Sequence, residues 1–272
     1  MPTSPRRKLA LITGASAGIG AAFARAYAGR GFDLALVARR ADRLQTLAAE
    51  TRTAHGIEAF AIPADLALPE AQAPVMSALA ERGREVDVLV NNAGFGIPRL
   101  FTDVDWAEQR DFLMTMGVAP CALAYAVLPG MVARGWGRII NVASMAGFAP
   151  GVAGNTLYPG VKGLMISFSQ ALDCECRAQG IKVTAVCPGA TESDFAKQAG
   201  YDHLVGSASR LFSQTAEHVA NVAIKANEAG RVVVIPGWHN SLAVMLMRAL
   251  PQPLVRAAIN AGAKKYRLGA KA

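Results

Sequence analysis

Seven short runs of apolar, largely β-branched residues recur along this 272-residue chain, near 8–13, 32–38, 57–62, 86–90, 137–143, 181–187 and 231–235. Patterns of helical period separate them, at roughly 18–30, 41–54, 69–83, 104–134 (with a break), 157–179 and 215–229. Runs such as VDVLV at 86–90 and IKVTAVC at 181–187 lack the apolar/polar alternation of a half-exposed strand, so both faces of the sheet must be covered. Strands alternating with helices of ten or more residues make βαβ units, and right-handed crossovers then give a doubly wound α/β fold with a seven-stranded parallel sheet. With 52% apolar residues the chain can bury a large core. No linker, repeat or composition shift divides it, so residues 1–272 are expected to form a single domain.

The first run leads into TGASAGIG at 13–20, with Gly14, Gly18 and Gly20 between a strand and a helix. Such a turn lets backbone amides around Ser16 and Ile19 approach a pyrophosphate at a helix N-terminus. The spacing is GxxxGxG rather than GxGxxG. Two more candidate contacts follow strands: Asp65-Leu66 for an adenine, and Asn92, Ala93 and Gly94 of NNAG for a ribose. After the second strand come Arg39 and Arg40, with no acid until Asp42. A cation there accommodates a 2′-phosphate, which favours NADP(H) over NAD(H), with Arg39 the first candidate and Arg40 the second.

Tyr158 and Lys162 lie one helical turn apart, with Ser144 upstream. Free tyrosine has a pKa of ~10, and lowering it by about three units takes roughly 4 kcal/mol of preference for the phenolate. One cation about 4 Å away at an effective dielectric of ~20 supplies that amount. A phenol so placed can give and take a proton near neutrality.

TGASAGIG, DL at 65–66, NNAG at 91–94, Ser144, YxxxK at 158–162 and PG at 188–189, in this order, resemble the short-chain dehydrogenase/reductase family over nearly the whole chain. The resemblance implies a Rossmann-type fold, with Tyr158 as general acid/base and Ser144 bonded to the substrate oxygen. It implies that Lys162 lowers the Tyr158 pKa and holds the nicotinamide ribose. It further implies that the segment after Pro188-Gly189, including Thr191 and Ser193, lines the nicotinamide and the substrate entrance. Three departures stand out. Met116 occupies the position where the family usually carries a catalytic asparagine, Ser144 and Tyr158 are fourteen apart where relatives more commonly show thirteen, and Pro159-Gly160 follow the tyrosine. Residues 145–157 read as a loop that can bulge outward, and Pro159 is tolerated if the helix starts at Tyr158.

The function expected is NADP(H)-dependent interconversion of a hydrophobic ketone or aldehyde and its alcohol. The alternative is a cofactor-binding protein with little turnover that acts through a partner or a membrane surface. The expected substrate wall is Phe95, Ile97, Met145, Phe148, Ala149, Val152, Leu157, Phe195 and Tyr201, without an Arg or Lys beside Ser144 and Tyr158. Residues 189–213, long and rich in Gly and Ser, read as a substrate lid. Four scattered histidines predict no metal, and four cysteines without a CxxC pair predict a reduced, cytoplasmic protein. No run approaches the ~20 apolar residues of a membrane span.

The net charge is +8, yet Arg231, Arg248, Arg256, Lys264, Lys265, Arg267 and Lys271 all follow Glu228, the last acid. Basicity belongs to the tail, which argues against nucleic acid as partner. The extension 239–272 reads as two apolar helices broken by Pro251 and Pro253. It suits either a packing extension with a solvated basic end, the preferred reading, or contact with an anionic membrane surface. By resemblance, a homodimer or homotetramer forms through the helices near 104–134 and 157–179.

Overall fold

The structure, a computed structural model, describes residues 6–151, 154–192 and 213–267. Its seven-stranded sheet is parallel throughout, with strands β1 (Leu9–Thr13), β2 (Asp33–Ala38), β3 (Ala59–Pro63), β4 (Val88–Asn91), β5 (Gly137–Val142), β6 (Ile181–Val186) and β9 (Val233–Val234). Their order is β3-β2-β1-β4-β5-β6-β9. The chain winds outward in opposite directions from β1 and from β4, so a crevice opens between those two at the carboxyl ends of the strands.

Both faces of the sheet are covered, and for this reason the strands lack alternation. In β1 every residue is buried, with Ala10 and Ile12 in one apolar cluster and Leu9 and Leu11 in the other. The first cluster draws on α1 (Gly18–Ala28), α2 (Ala41–His55) and α7 (Ala216–Glu228), through Phe23, Tyr27, Leu44 and Val219. The second draws on α3 (Gln72–Ala80), α5 (Ala119–Ala133) and α6 (Tyr158–Cys176), through Val75, Leu123 and Leu172.

Some boundaries differ from expectation for local reasons. Helix α3 begins three residues late, because Glu70 sits at φ 55, outside the right-handed region. Gly83, at φ 59, closes the turn after it. The break expected in 104–134 is a π turn, Met114–Val118, between α4 (Trp106–Leu113) and α5. Pro120 has no N–H to return to the carbonyl one turn earlier, that of Met116, and so disfavours an unbroken α-helix there. Contrary to expectation, the stretch Trp106–Ala133 is long and apolar enough to pass for a membrane span. Half of its most apolar window is buried in the fold, as in a core helix.

Two short strands not foreseen, β7 (Thr191–Glu192) and β8 (Gln214–Thr215), pair in parallel. Most of the segment read as a lid, residues 193–212, lies outside the described residues. The C-terminal helices α8 (Trp238–Ala249) and α9 (Gln252–Arg267) are separated at Leu250-Pro251, while Pro253 falls in the first turn of α9.

A buried polar line crosses the carboxyl end of the sheet. Asn91 Nδ2 donates to Asn141 Oδ1 (2.9 Å) and to the Pro120 carbonyl (3.2 Å), and Asn141 Nδ2 donates to Ser169 Oγ (2.8 Å). It ties β4, β5, α5 and α6 together where the crevice opens. Replacing Asn141 with Leu strips a partner from both Asn91 and Ser169. A loss of about 3 kcal/mol is expected, read as a lower urea midpoint at unchanged slope.

Candidate active site

The glycine turn is fitted to the end of β4 at backbone contact. A Cβ on Gly20 would lie 2.2 Å from the Gly14 carbonyl oxygen, and one on Gly14 would lie 2.7 Å from Asn92 Nδ2. Gly14 also takes φ +65. Thr13 Oγ1 accepts from the amides of Asn92 (2.9 Å) and Ala93 (3.1 Å), and Asn92 Nδ2 donates to the Thr13 carbonyl (2.9 Å). Asn92 and Ala93 therefore brace the turn, and Thr13 is a structural partner that spacing alone did not single out. Ala17 provides no side-chain cap to α1, whose first turn carries no acid, so the amides at Gly18, Ile19 and Gly20 suit an anion.

Arg40, not Arg39, reaches this turn. Its Nη2 and Nε donate to Ser16 Oγ at 2.8 and 3.2 Å, whereas Arg39 is exposed. Asp65 spends Oδ1 on the amide of Ala67 (3.0 Å), an Asx turn, and Leu66 is buried in the core. Across the crevice the Pro188 carbonyl accepts from Met145 N (3.1 Å), and Thr191 Oγ1 donates to the Gly189 carbonyl (3.2 Å). Ser193 lies outside the described residues.

Helix α6 starts at Tyr158, with Pro159 in its first turn, where no N–H is needed, so Pro159 causes no kink. Ser144 caps a 3-10 turn, Met145–Phe148, its Oγ accepting from Ala146 N (3.1 Å). That turn replaces the start of the loop expected at 145–157, of which Val152 lies outside the described residues. Gly147 brings the turn onto α6: a Cβ there would lie 2.8 Å from the Lys162 carbonyl carbon and 2.9 Å from Gly163 N. Lys162 is 6% exposed and donates through Nζ to the Val142 carbonyl (2.7 Å), two residues before Ser144. Its Nζ is 5.6 Å from the Tyr158 ring centroid. The fold thus gathers Ser144, Tyr158 and Lys162 at the ends of β5 and the start of α6. Burial pushes the Lys162 amine down to about 8, opposed in part by the Cys187 thiol, and burial pushes that thiol up to about 12.

Tyr158 borders a cavity with Ile97, Phe101, Val104, Phe112, Asn155 and Leu157. Phe112 packs against both Phe95 and Tyr158, with centroids 5.6 and 6.4 Å apart. Arg99 also borders the cavity, a cation that the reading of neighbouring segments missed because it lies far away in sequence. Its guanidinium is paired with Glu108. Met116, 2% exposed on the π turn, joins the apolar cluster of Ile97, Phe112 and Val161. Its methyl would meet a Cβ on Gly94 at 3.0 Å. Phe195 and Tyr201 lie outside the described residues.

The short chain dehydrogenase family profile matches residues 8–203. The chain is 34% identical over 253 residues to the ketoacyl reductase HetN of Nostoc, covering 90% of this chain and 84% of that protein. Its fold matches a short-chain dehydrogenase from Sphingobium yanoikuyae in complex with NADPH, with TM-score 0.78 and 34% identity over 90% of this chain and 97% of the other. It also matches the bulky-bulky ketone specific alcohol dehydrogenase from Comamonas testosteroni, with TM-score 0.74 and 31% identity over 90% and 95% of the two chains. The chain belongs to the short-chain dehydrogenase family and is an oxidoreductase acting on alcohol and carbonyl groups.

The buried amine has a consequence for stability. Between about pH 8 and its ordinary value of 10.5 the unfolded chain binds more of this proton than the folded one, so this group's contribution to stability rises with pH across that window. Below pH 8 the full penalty of the buried ammonium is present. Urea unfolding of the protein without cofactor should show a gain of about 3 kcal/mol across the window, absent in Lys162→Met. Parallel profiles for the two proteins would contradict a buried charge at Lys162.

Proposed function

We propose that this short-chain dehydrogenase uses NADP(H) to interconvert a hydrophobic ketone or aldehyde and its alcohol, with Tyr158 as general acid/base. One observation carries the reading: Lys162 is buried one turn from Tyr158 and fixed by the Val142 carbonyl, so its charge acts on the phenol through protein rather than water.

The residues fit the cofactor. The uncapped amides of α1 and the turn at Gly14, Ser16, Gly18, Ile19 and Gly20 suit its pyrophosphate, and Arg40 with Ser16 suits a 2′-phosphate. Arg39, exposed and next in sequence, is the second candidate for that phosphate. Asp65 and Leu66 border the adenine side. Asn92, Ala93 and Gly94 shape the floor, and Pro188, Gly189 and Thr191 flank the nicotinamide side. The NADPH complex of the Sphingobium relative supports the same preference here. When bound, the cofactor donates or accepts a hydride. In the reductive direction Tyr158 gives its phenolic proton to the substrate oxygen while Ser144 Oγ donates a hydrogen bond to it. Lys162 stabilises the phenolate left behind and holds the ribose.

The apolar and aromatic cavity wall, and an Arg99 already neutralised by Glu108, favour an uncharged, hydrophobic carbonyl substrate. The bulky-ketone specificity of the Comamonas relative is consistent with this. A cofactor binder with little turnover is the competing reading, and Met116 in place of the usual asparagine is what favours it. Copies of the chain are proposed to pair through α5 with the π turn before it, and α6, where Val118, Tyr125 and Val132, seven residues apart, and Leu164 leave an apolar stripe exposed.

Tyr158→Phe should lower kcat by ~100-fold or more without weakening NADPH binding. Absence of NADPH oxidation by the wild type across a broad carbonyl panel, despite tight binding, would favour the competing reading. Arg40→Ala should raise KM for NADPH ~10–100-fold while changing that for NADH little, as expected for a charge-assisted bond to a phosphate. An equal effect on both cofactors would remove Arg40 from the 2′-phosphate site. Tyr125→Glu should shift sedimentation velocity toward a smaller species.

A further inference from the structure

Helix α8 has two unlike faces. At about 100° per residue, Trp238, Leu242, Met245 and Leu246 share one sector, with Asn240 and Val244 opposite. The opposite face is docked: Val244 is 3% exposed, and Asn240 donates to the Pro236 carbonyl (2.8 Å). Asn240 also fills the space beside Gly189, where a Cβ would lie 2.5 Å from its Oδ1. The same helix packs on the turn Met145–Phe148 that follows Ser144. The orientation of α8 is therefore fixed by the fold, and its other face is held outward. That face exposes Trp238 (76%), Met245 (58%), Leu246 (47%) and Leu242 (42%), and the apolar exposure continues through Leu250 and Leu254.

Charge selects among occupants. Arg248 at the flank of this face and Arg256 on α9 are exposed, and no acid follows Glu228 anywhere in the sequence. A second copy seated here in a two-fold contact would bring the same cations together without a carboxylate of α8 or α9 to pair them. A nucleic acid would engage the cations and leave the Leu and Met side chains in water. An anionic bilayer takes both, with apolar side chains at the acyl boundary and cations among the headgroups.

We propose that the outward face of α8, with the start of α9, docks the protein peripherally on an anionic lipid surface. Docking there sets the Ser144 turn and Gly189, at the carboxyl edge of the sheet, close to the bilayer. That a hydrophobic substrate reaches the site from the bilayer is a consequence resting on the proposed function; the docking itself does not depend on it.

The test is sedimentation of the full chain with vesicles of phosphatidylcholine, alone or mixed with phosphatidylglycerol. The wild type should bind the mixed vesicles at least ~10-fold more than the neutral ones, with binding weakened by salt. Leu242→Glu/Leu246→Glu should lose at least ~10-fold of that binding while keeping its thermal midpoint and its turnover of a water-soluble ketone, measured without lipid. A blue shift of tryptophan fluorescence on vesicle addition should disappear in Trp238→Phe. No binding, or equal binding by wild type and the double variant, would overturn the proposal. So would a concentration-dependent oligomer that the double variant abolishes, which would assign this face to a second copy.

Discussion

An ammonium group inside a protein loses its water and must recover that interaction from fixed partners, and here the Val142 carbonyl at 2.7 Å supplies one. The bond joins the last residue of β5, two residues before Ser144, to the first turns of α6, which starts at Tyr158. Two local features make it reachable. Gly147 lets the turn after Ser144 lie directly on α6, and the open first turn at Tyr158-Pro159 brings the helix to the sheet edge without a kink. Burial costs Lys162 part of its basicity, yet at about 8 it is still charged at neutral pH. The same desolvation that weakens the amine strengthens its field at the phenol, since less solvent screens the charge.

A second constraint shapes the cofactor side. The turn after β1 and the end of β4 approach so closely that neither Gly14 nor Gly20 has room for a methyl group, and Thr13 and Asn92 exchange hydrogen bonds across the gap. The groups most conspicuous in NNAG are thus consumed in holding the crevice open at fixed width. The groups left at the rim, the amides of α1 and the Arg40–Ser16 pair, are those proposed to meet the cofactor phosphates.

The sheet was legible because a strand covered on both faces must be apolar throughout, and the runs around β1, β4 and β6 leave no other assignment. The Ser144, Tyr158 and Lys162 set was legible because its chemistry needs fixed spacing on one helix and one strand end. What escaped the sequence depends on direction or distance. Arg39 and Arg40 are equivalent in composition, and only the exit path of the chain from β2 turns the second toward Ser16. Arg99 comes to the cavity from a loop far from Tyr158 in sequence. Glu70 at positive φ, and the pairing of β7 with β8, are set by neighbours that no local pattern encodes. Helix α8 read as part of a tail, because its docked face amounts to Asn240 and Val244, too few residues to register as a core pattern.

Met116 bears most directly on how a proton would travel. Its side chain is packed among Ile97, Phe112 and Val161 and against Gly94, so it offers an apolar plug where an amide would offer a donor and an acceptor. The backbone around it is another matter. The helix opens into a π turn at Met114–Val118, and Pro120 cannot return a hydrogen bond to the Met116 carbonyl. A π turn hands such a carbonyl to the amide five residues on, and Lys162, with one of its three protons committed to Val142, still has donors to offer. The π turn and Pro120 thus change which backbone groups the helix can pair at this point, while the side chain that fills it, Met116, donates no hydrogen bond and accepts only weakly.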